Sequence, residues 1–391
     1  MDTKDACIVG WGHTPFGRRE EDLEGLIGLA VTEAIESAGI EATQIDGIWL
    51  GHFNAGMVRD GFASSLALQV DDALRFTPAT RCENACASGS AALHGARNAI
   101  RAGDAKVALV IGAEKMTALD TAGVTDALMQ AGYAKEDDGQ SFPMIFARFA
   151  ESYFQRYGDH STTLARIAAK NHRNALANPL AHLRKDLGEE FCNTVSEKNP
   201  MIAPPLRMSD CSLISDGAAA LILVADDMAE EFDHAIGFRA AVQVNDYLPM
   251  SRRELLDFPG PAEAFRRAYA AAGVGVTDLS FAEVHDCFTI AELLSYEAMG
   301  LAPKGQGARA IEEGTVLKGG ALPVNVSGGL KAKGHPVGAT GVSMHVLAAR
   351  QLAGQAGEMQ LPGAELGCVF NMGGSGVANY VSILERVGGK A

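Results

Sequence analysis

Long hydrophobic runs are missing from this sequence. The longest, KVALVIGA from Lys106 to Ala113 and AAALILVA from Ala218 to Ala225, have the length of buried strands and fall far short of a membrane span. Positive charge is also in deficit: 33 Lys and Arg stand against 48 Asp and Glu, a formal net charge of −15. That argues against a nucleic-acid partner, because phosphate backbones are met by basic surfaces. A small anionic ligand stays possible, since a local basic patch or a helix N-terminus can hold it. Cysteines are few and scattered, seven in 391 residues, an odd number without the spacing of a disulfide framework. Reduced thiols are expected. Cys82 and Cys86 make one Cys-x3-Cys pair, but no second pair follows at metal-ligand spacing, so no metal is expected. The start, MDTKDACIVGWG, lacks the basic stretch and apolar core of a signal peptide, and VGGKA at the end carries no recognisable address. These absences predict a cytoplasmic protein with no membrane partner.

What is present is a repeated alternation of strand and helix in a chain long enough for two or three domains. ACIVGWG reads as a strand, LIGLAVTEAIESAG as an amphipathic helix stopped at Gly39, and IDGIWLGHF as a second strand. Cys86 precedes the helix ASGSAALHGARNAIRAG, which stops at Gly103. The pattern predicts an α/β fold with a largely buried sheet. Two resemblances recur in the same order. LIGLAVTEAIESAGIEATQIDGIWLGHF matches PAEAFRRAYAAAGVGVTDLSFAEVHDCF in type, and DGAAALILVA matches GSGVANYVSIL. An internal duplication follows, each half one α/β unit. The expected bounds are 1–237 for the first half, with its core in 1–117 and 206–237, and 238–391 for the second. A helical insertion at 118–205, with charge clusters and the helix FARFAESYFQRYG, is expected to cover a site.

Four places could carry chemistry. Cys86 stands at a helix N-terminus, where the dipole favours thiolate; a small buried cysteine would look the same. His335 lies in the glycine-dense turn GGLKAKGHPVGATG, where it could activate a thiol or merely satisfy the turn. VHDCF, Val284 to Phe288, sets His285, Asp286 and Cys287 side by side at a strand end, the position where sites collect in α/β sheets. A thiol there can take and return protons, or be packed away. NMGGSG, from Asn371 to Gly376, can form an oxyanion hole from backbone N–H groups or serve as a plain turn.

Taken together, CASG before a helix, HDCF, GHPVGATG and a late GGSG turn resemble the thiolase family, with GAEKM, KNHRNALANP and SDGAAA in support. The resemblance spans essentially the whole chain. HDCF points to the sterol-carrier-protein-X type, here with no sterol-carrier domain expected. The commoner thiolases carry Asn-Glu-Ala-Phe in place of His285 to Phe288, and a second catalytic cysteine where this chain has Asn371. The resemblance implies a thiolase fold of two duplicated halves in an α-β-α-β-α layered core. It implies a Cys86 acyl-enzyme, His335 as the base for its thiol, Cys287 as acid and base in place of the missing late cysteine, and His285 with His335 on an enolate oxygen. Cys368 is the rival second thiol. Backbone N–H groups of Cys86 and Gly373 would form the other oxyanion hole. Ser212 would meet the pantetheine arm, and Lys170 and Arg173, on charge alone, the coenzyme A phosphates. The substrates would be coenzyme A thioesters with no further cofactor. A homodimer or homotetramer is implied, and a small accessory protein is compatible. A ketosynthase-like condensing enzyme and a partner-dependent retro-aldolase on coenzyme A esters are the alternative activities.

Overall fold

The structure is a computed structural model and describes residues 5–389. The first half opens with β1 (Ala6–His13), α1 (Leu23–Ala38), β2 (Gly47–Gly51), β3 (Ala79–Cys82), α2 (Ser88–Ala102) and β4 (Val107–Glu114). An excursion follows: α3 (Thr121–Leu128), α4 (Ala134–Asp137), α5 (Phe142–Tyr157), α6 (Ser161–Ala175), α7 (Gly188–Asn193), β5 (Met201–Ala203) and β6 (Leu206–Arg207). β7 (Gly217–Ala225) closes the first half. The second half runs β8 (Ala235–Asn245), α8 (Pro259–Ala272), β9 (Phe281–Val284), α9 (Thr289–Ala298), α10 (Ala308–Glu312), α11 (Thr340–Leu352), β10 (Leu366–Gly373) and β11 (Ala378–Gly388).

Local rules explain the main helices. Asp22 caps α1 by accepting from the Gly25 N–H, and Gly39, at φ 67°, ends it in the left-handed conformation. Gly103, at φ 83°, ends α2 in the same way. Both stops fall where the sequence places them. Leu23, Leu26, Ile27, Ala30, Val31 and Ala34 form the buried stripe of α1, which packs on β1, β7 and β4.

The strands pair in the order β3-β2-β4-β7-β1-β8-β11-β10-β9. The first five belong to the first half and the last four to the second. They meet only at Cys7–Gly237 and Ile8–Ile236. α2 lies on β4 and β2, while α11 touches α2, β4 and β7 on one side and β10 on the other. The sheet therefore wraps two central helices, with α1 and α8 on its outer faces, which gives the five expected layers. The duplication is visible in the pairing. β4 and β7 are antiparallel, as are β10 and β11, and β2 and β4 are parallel, as are β9 and β10. The second half has four full strands, and its counterpart of β3 is reduced to a bridge, Ala282 to Val324.

Two expected boundaries shift. The excursion leaves the sheet after Glu114 and rejoins it at Gly217, so it is longer than 118–205. Residues 201–207 have strand character but pair only with each other, as the β5-β6 hairpin. The second half starts with β8 at Ala235, because AIGF continues that strand's apolar run, so the junction lies in the helical turn Asp226–Glu231 rather than at 237/238. Among the described residues no helix is long and apolar enough to cross a membrane.

Candidate active site

Cys86 sits on a strained turn between β3 and α2. Ala85 just before it has φ 52°, a region that L-residues rarely occupy. Hydrogen bonds hold the turn: Asn84 N–H donates to Ser88 Oγ at 2.9 Å, Ser88 Oγ to the Ala85 carbonyl at 2.6 Å, and Asn84 Nδ2 to the Tyr380 hydroxyl on β11 at 2.7 Å. Cys86 as a residue is half-buried, and the backbone N–H groups of Gly374 and of Cys86 itself point at its sulfur.

His285 follows β9 and His335 precedes α11, so each catalytic candidate comes from a different connection at the same end of the layers. The Cys86 sulfur and a ring nitrogen of each histidine lie within 4.8 Å of one another. The two rings meet edge-on, with centroids 5.1 Å apart. His335 Nδ1 is 2.7 Å from Thr340 Oγ1, and that hydroxyl donates to the Pro336 carbonyl at 3.0 Å. A hydroxyl has one hydrogen to give, so Nδ1 must donate to it. His335 Nε2 is then left with a free lone pair. His285 Nδ1 is 3.0 Å from Asn371 Nδ2. Its Nε2 is buried and has no partner.

Cys86, Cys287, His335 and Ser212 open into one cavity of 260 Å³, walled by apolar side chains including Met116, Phe142, Phe146 and Phe288. Met116 belongs to GAEKM, and Phe142 and Phe146 to α5, so the excursion does cover the site. Behind Cys287, Asp286 accepts from the Leu330 and Lys331 N–H groups at 2.6 and 3.2 Å and from Asn171 Nδ2 at 2.8 Å. That carboxylate ties the HDCF loop to the turn before His335 and to α6. Glu114 does the same on the other side, accepting from Phe53, Asn54 and Gly338 N–H groups at 2.9, 2.9 and 3.0 Å.

The electrostatics depart from the sequence expectation. Burial pushes the Cys86 thiol up to about 12, outweighing the backbone N–H groups that favour thiolate. Burial, reinforced by the charge of Lys333, holds His335 down at about 3. His285 is also held well below its ordinary value, by burial and then by His335 and Lys333. The resting pair is a neutral thiol beside a neutral imidazole with a free lone pair. Cys287 is raised too, chiefly by burial and next by Cys86.

Known proteins resemble this chain along nearly its whole length. The thiolase N-terminal domain model matches residues 6–227, and the thiolase C-terminal domain-like model matches 242–386. The chain belongs to the thiolase family. Membership makes it an acyltransferase. It is 37% identical to an acetyl-CoA acetyltransferase of Methanothermobacter thermautotrophicus, over 98% of this chain and all of that one. It is 32% identical to sterol carrier protein 2 of Bos taurus, over 94% of this chain and 69% of the relative. It is 31% identical to the benzoylsuccinyl-CoA thiolase subunit BbsB of Thauera aromatica, over 89% of each. Among solved structures, the Ltp2-ChsH2(DUF35) aldolase superposes with a TM-score of 0.84 over 98% of both chains, at 24% identity. That last likeness concerns the fold.

Within this thiolase several expected positions move. The Gly374 N–H turns toward the Cys86 sulfur beside the expected Gly373, which is the last residue of β10, packed against the Asn84 carbonyl where a Cβ has no room. Lys170 cannot reach a coenzyme A phosphate. It is buried on α6, with Nζ 2.7 Å from Glu292 and 2.7 Å from the Val324 carbonyl. Arg173 is exposed, 3.3 Å from Asp186, and does not line the cavity. Both basic residues read as free charges in the sequence because their acidic partners are distant in it. Cys368 is buried in β10, paired with Ala282 and Ile383, and absent from the cavity wall. The sequence assigns Thr340, Ser90 and Gly374 no role of their own, although Thr340 and Gly374 lie inside GHPVGATG and NMGGSG and Ser90 directly follows CASG.

Proposed function

We propose that this thiolase cleaves 3-ketoacyl-CoA with coenzyme A, and runs the reverse Claisen condensation, through an acyl-enzyme on Cys86. The observation that supports this reading best is the convergence of Cys86, Cys287 and a His335 with a free Nε2 lone pair at one apolar cavity, with a ring nitrogen of the buried His285 within 4.8 Å of the Cys86 sulfur and of His335. In the cleavage direction Cys86 Sγ attacks the 3-keto carbon and passes its proton to His335 Nε2. The developing oxyanion is met by the N–H groups of Cys86 and Gly374. The bond between C2 and C3 breaks, its electron pair enters the thioester enolate, and the enolate oxygen lies against His285 and His335. Cys287 gives its proton to C2, and a shortened acyl-CoA leaves. The thiol of coenzyme A then attacks the acyl-Cys86 thioester, giving its proton to the Cys287 thiolate. The released Cys86 sulfur recovers its proton from His335. Protons and electron pairs balance with no external oxidant or reductant.

The test is acetoacetyl-CoA plus free coenzyme A, with products weighed by mass spectrometry. Two acetyl-CoA for each acetoacetyl-CoA is the expected result; the absence of both that product and any acyl adduct on the protein would overturn the proposal.

The mouth of the cavity supplies a basic residue to replace Lys170 and Arg173. An adjoining depression lined by Arg18, Thr117 and His182 shares Thr121 and Ile214 with the catalytic cavity. Arg18 is exposed there. Arg18→Ala is expected to raise KM for coenzyme A about fivefold with kcat little changed, the size of a roughly 1 kcal/mol exposed ion pair. An unchanged KM would move the phosphate elsewhere.

Self-association belongs to the same reading. β3 ends the sheet with an unpaired outer edge, and Phe76 just before it is 85% exposed. Light scattering is expected to give a multiple of the 41.0 kDa chain mass; a monomer at assay concentration would refute it. Seven free cysteines fit a reducing, cytoplasmic setting.

A further inference from the structure

The residue that stands where commoner thiolases are expected to have a second cysteine has work of its own. Asn371 Nδ2 is 3.2 Å from the Cys86 carbonyl oxygen, and its Oδ1 is 2.8 Å from Ser90 Oγ. A carbonyl oxygen only accepts, so the Asn371 atom facing it must be the amide nitrogen. The side chain therefore has one orientation: Ser90 donates to Oδ1, and the NH2 group faces both the Cys86 carbonyl and His285 Nδ1. A ring nitrogen facing an NH2 group must accept. His285 Nδ1 thus holds a lone pair, and its hydrogen is on Nε2. This Nε2 is a buried donor with nothing to donate to. A buried polar group without a partner is rare and calls for a reason.

His335 is set the other way. Thr340 draws the hydrogen to Nδ1 and leaves Nε2 bare. Two histidines 5.1 Å apart are held in opposite tautomers by different neighbours. We infer that Asn371, oriented by Ser90, is a positioning residue that locks His285 as the Nε2–H tautomer. His285 is thereby a standing hydrogen-bond donor to the enolate oxygen, while His335 keeps its lone pair for the Cys86 proton. Without the amide, His285 is free to put its hydrogen on Nδ1 and present a lone pair to an anion. The lock also leaves Cys86, His285 and His335 with one free imidazole lone pair, fewer ligands than the three protein groups of a catalytic zinc site. The donor role rests on the proposed thiolase reaction; the tautomer does not.

The experiment uses the full chain labelled with 15N-histidine. Long-range 1H–15N correlations report which ring nitrogen carries hydrogen, and His285→Asn assigns the His285 signals. The expected result is Nε2–H for His285 and Nδ1–H for His335 in the resting enzyme. Asn371→Leu is expected to lose the His285 pattern and lower kcat by about 10²- to 10³-fold, as removal of an oxyanion donor does, with KM little changed. Asn371→Asp gives a second readout. Its carboxylate draws the hydrogen to Nδ1, so kcat falls near neutral pH and recovers as pH is lowered, when the protonated ring carries hydrogen on both nitrogens. A packing role would show no such recovery. Nδ1–H on His285 in the native enzyme, or full kcat in Asn371→Leu, overturns the inference. The expected tautomers in a protein that makes no acetyl-CoA would sink the thiolase reading and leave the lock standing.

Discussion

Cys86→Ala is expected to lose acyl-enzyme formation altogether and to lower thiolysis on the order of 10⁶-fold, the scale of removing a covalent nucleophile. Cys211 and Cys287 also line the cavity, but the Gly374 N–H points at the Cys86 sulfur, so neither is expected to take over. Mass spectrometry of the protein after exposure to acetoacetyl-CoA checks this: an adduct of one acetyl group on the native chain and none on the variant. An adduct that persists in Cys86→Ala would move the nucleophile. The same pair sets the acid limb of the pH profile. His335, the base in the proposed reaction, is held at about 3, so it stays neutral well below the ordinary histidine range. Acyl-enzyme formation is therefore expected to stay level from about pH 8 to about pH 5, without the fall near 6.5 that an ordinary histidine base gives.

Cys287→Ala is expected to separate the two halves of the reaction. Acylation of Cys86 from a simple thioester should survive, because His335 and the N–H groups of Cys86 and Gly374 are untouched. Carbon–carbon bond making and cleavage should fall about 10³-fold, within the range of a positioned general acid and base. Exchange of the acetyl-CoA methyl hydrogens with deuterated water reports the step directly, and should vanish. The control is Cys368→Ala, which removes a sulfur buried in β10 away from the cavity and should leave exchange intact. Exchange lost in Cys368→Ala but kept in Cys287→Ala would reverse the assignment.

Much of this was legible in the sequence. Helix stops at Gly39 and Gly103 follow from backbone chemistry within a few residues. The duplicated halves could be matched because each repeats helix, glycine and strand in one order. Cys86, His285, Cys287 and His335 were legible as motifs, and the structure gathers them at one place. What stayed hidden depends on partners far apart in the chain. Lys170 looks like a solvated charge until Glu292 is brought to 2.7 Å. Asn371 looks like a lost cysteine until Ser90 and His285 arrive from two other connections. The thiol of Cys86 looks poised for thiolate until its burial is counted, and no local pattern reports burial.

The two-fold repeat has a further meaning. Matching elements of the two halves carry different residues at corresponding places. His52 follows β2 as His285 follows β9, yet His52 sits 3.1 Å from Glu114, and its neighbours Phe53 and Asn54 are bound to that carboxylate. One histidine became scaffolding and the other became reactive. The helix that follows Cys86 and the helix that follows His335 are likewise counterparts, packed side by side between the halves. Cys86 and His335 thus stand at equivalent places in the two halves, each ahead of a central helix. Neither half alone carries a complete site, so the chain cannot be trimmed to one repeat and keep its chemistry.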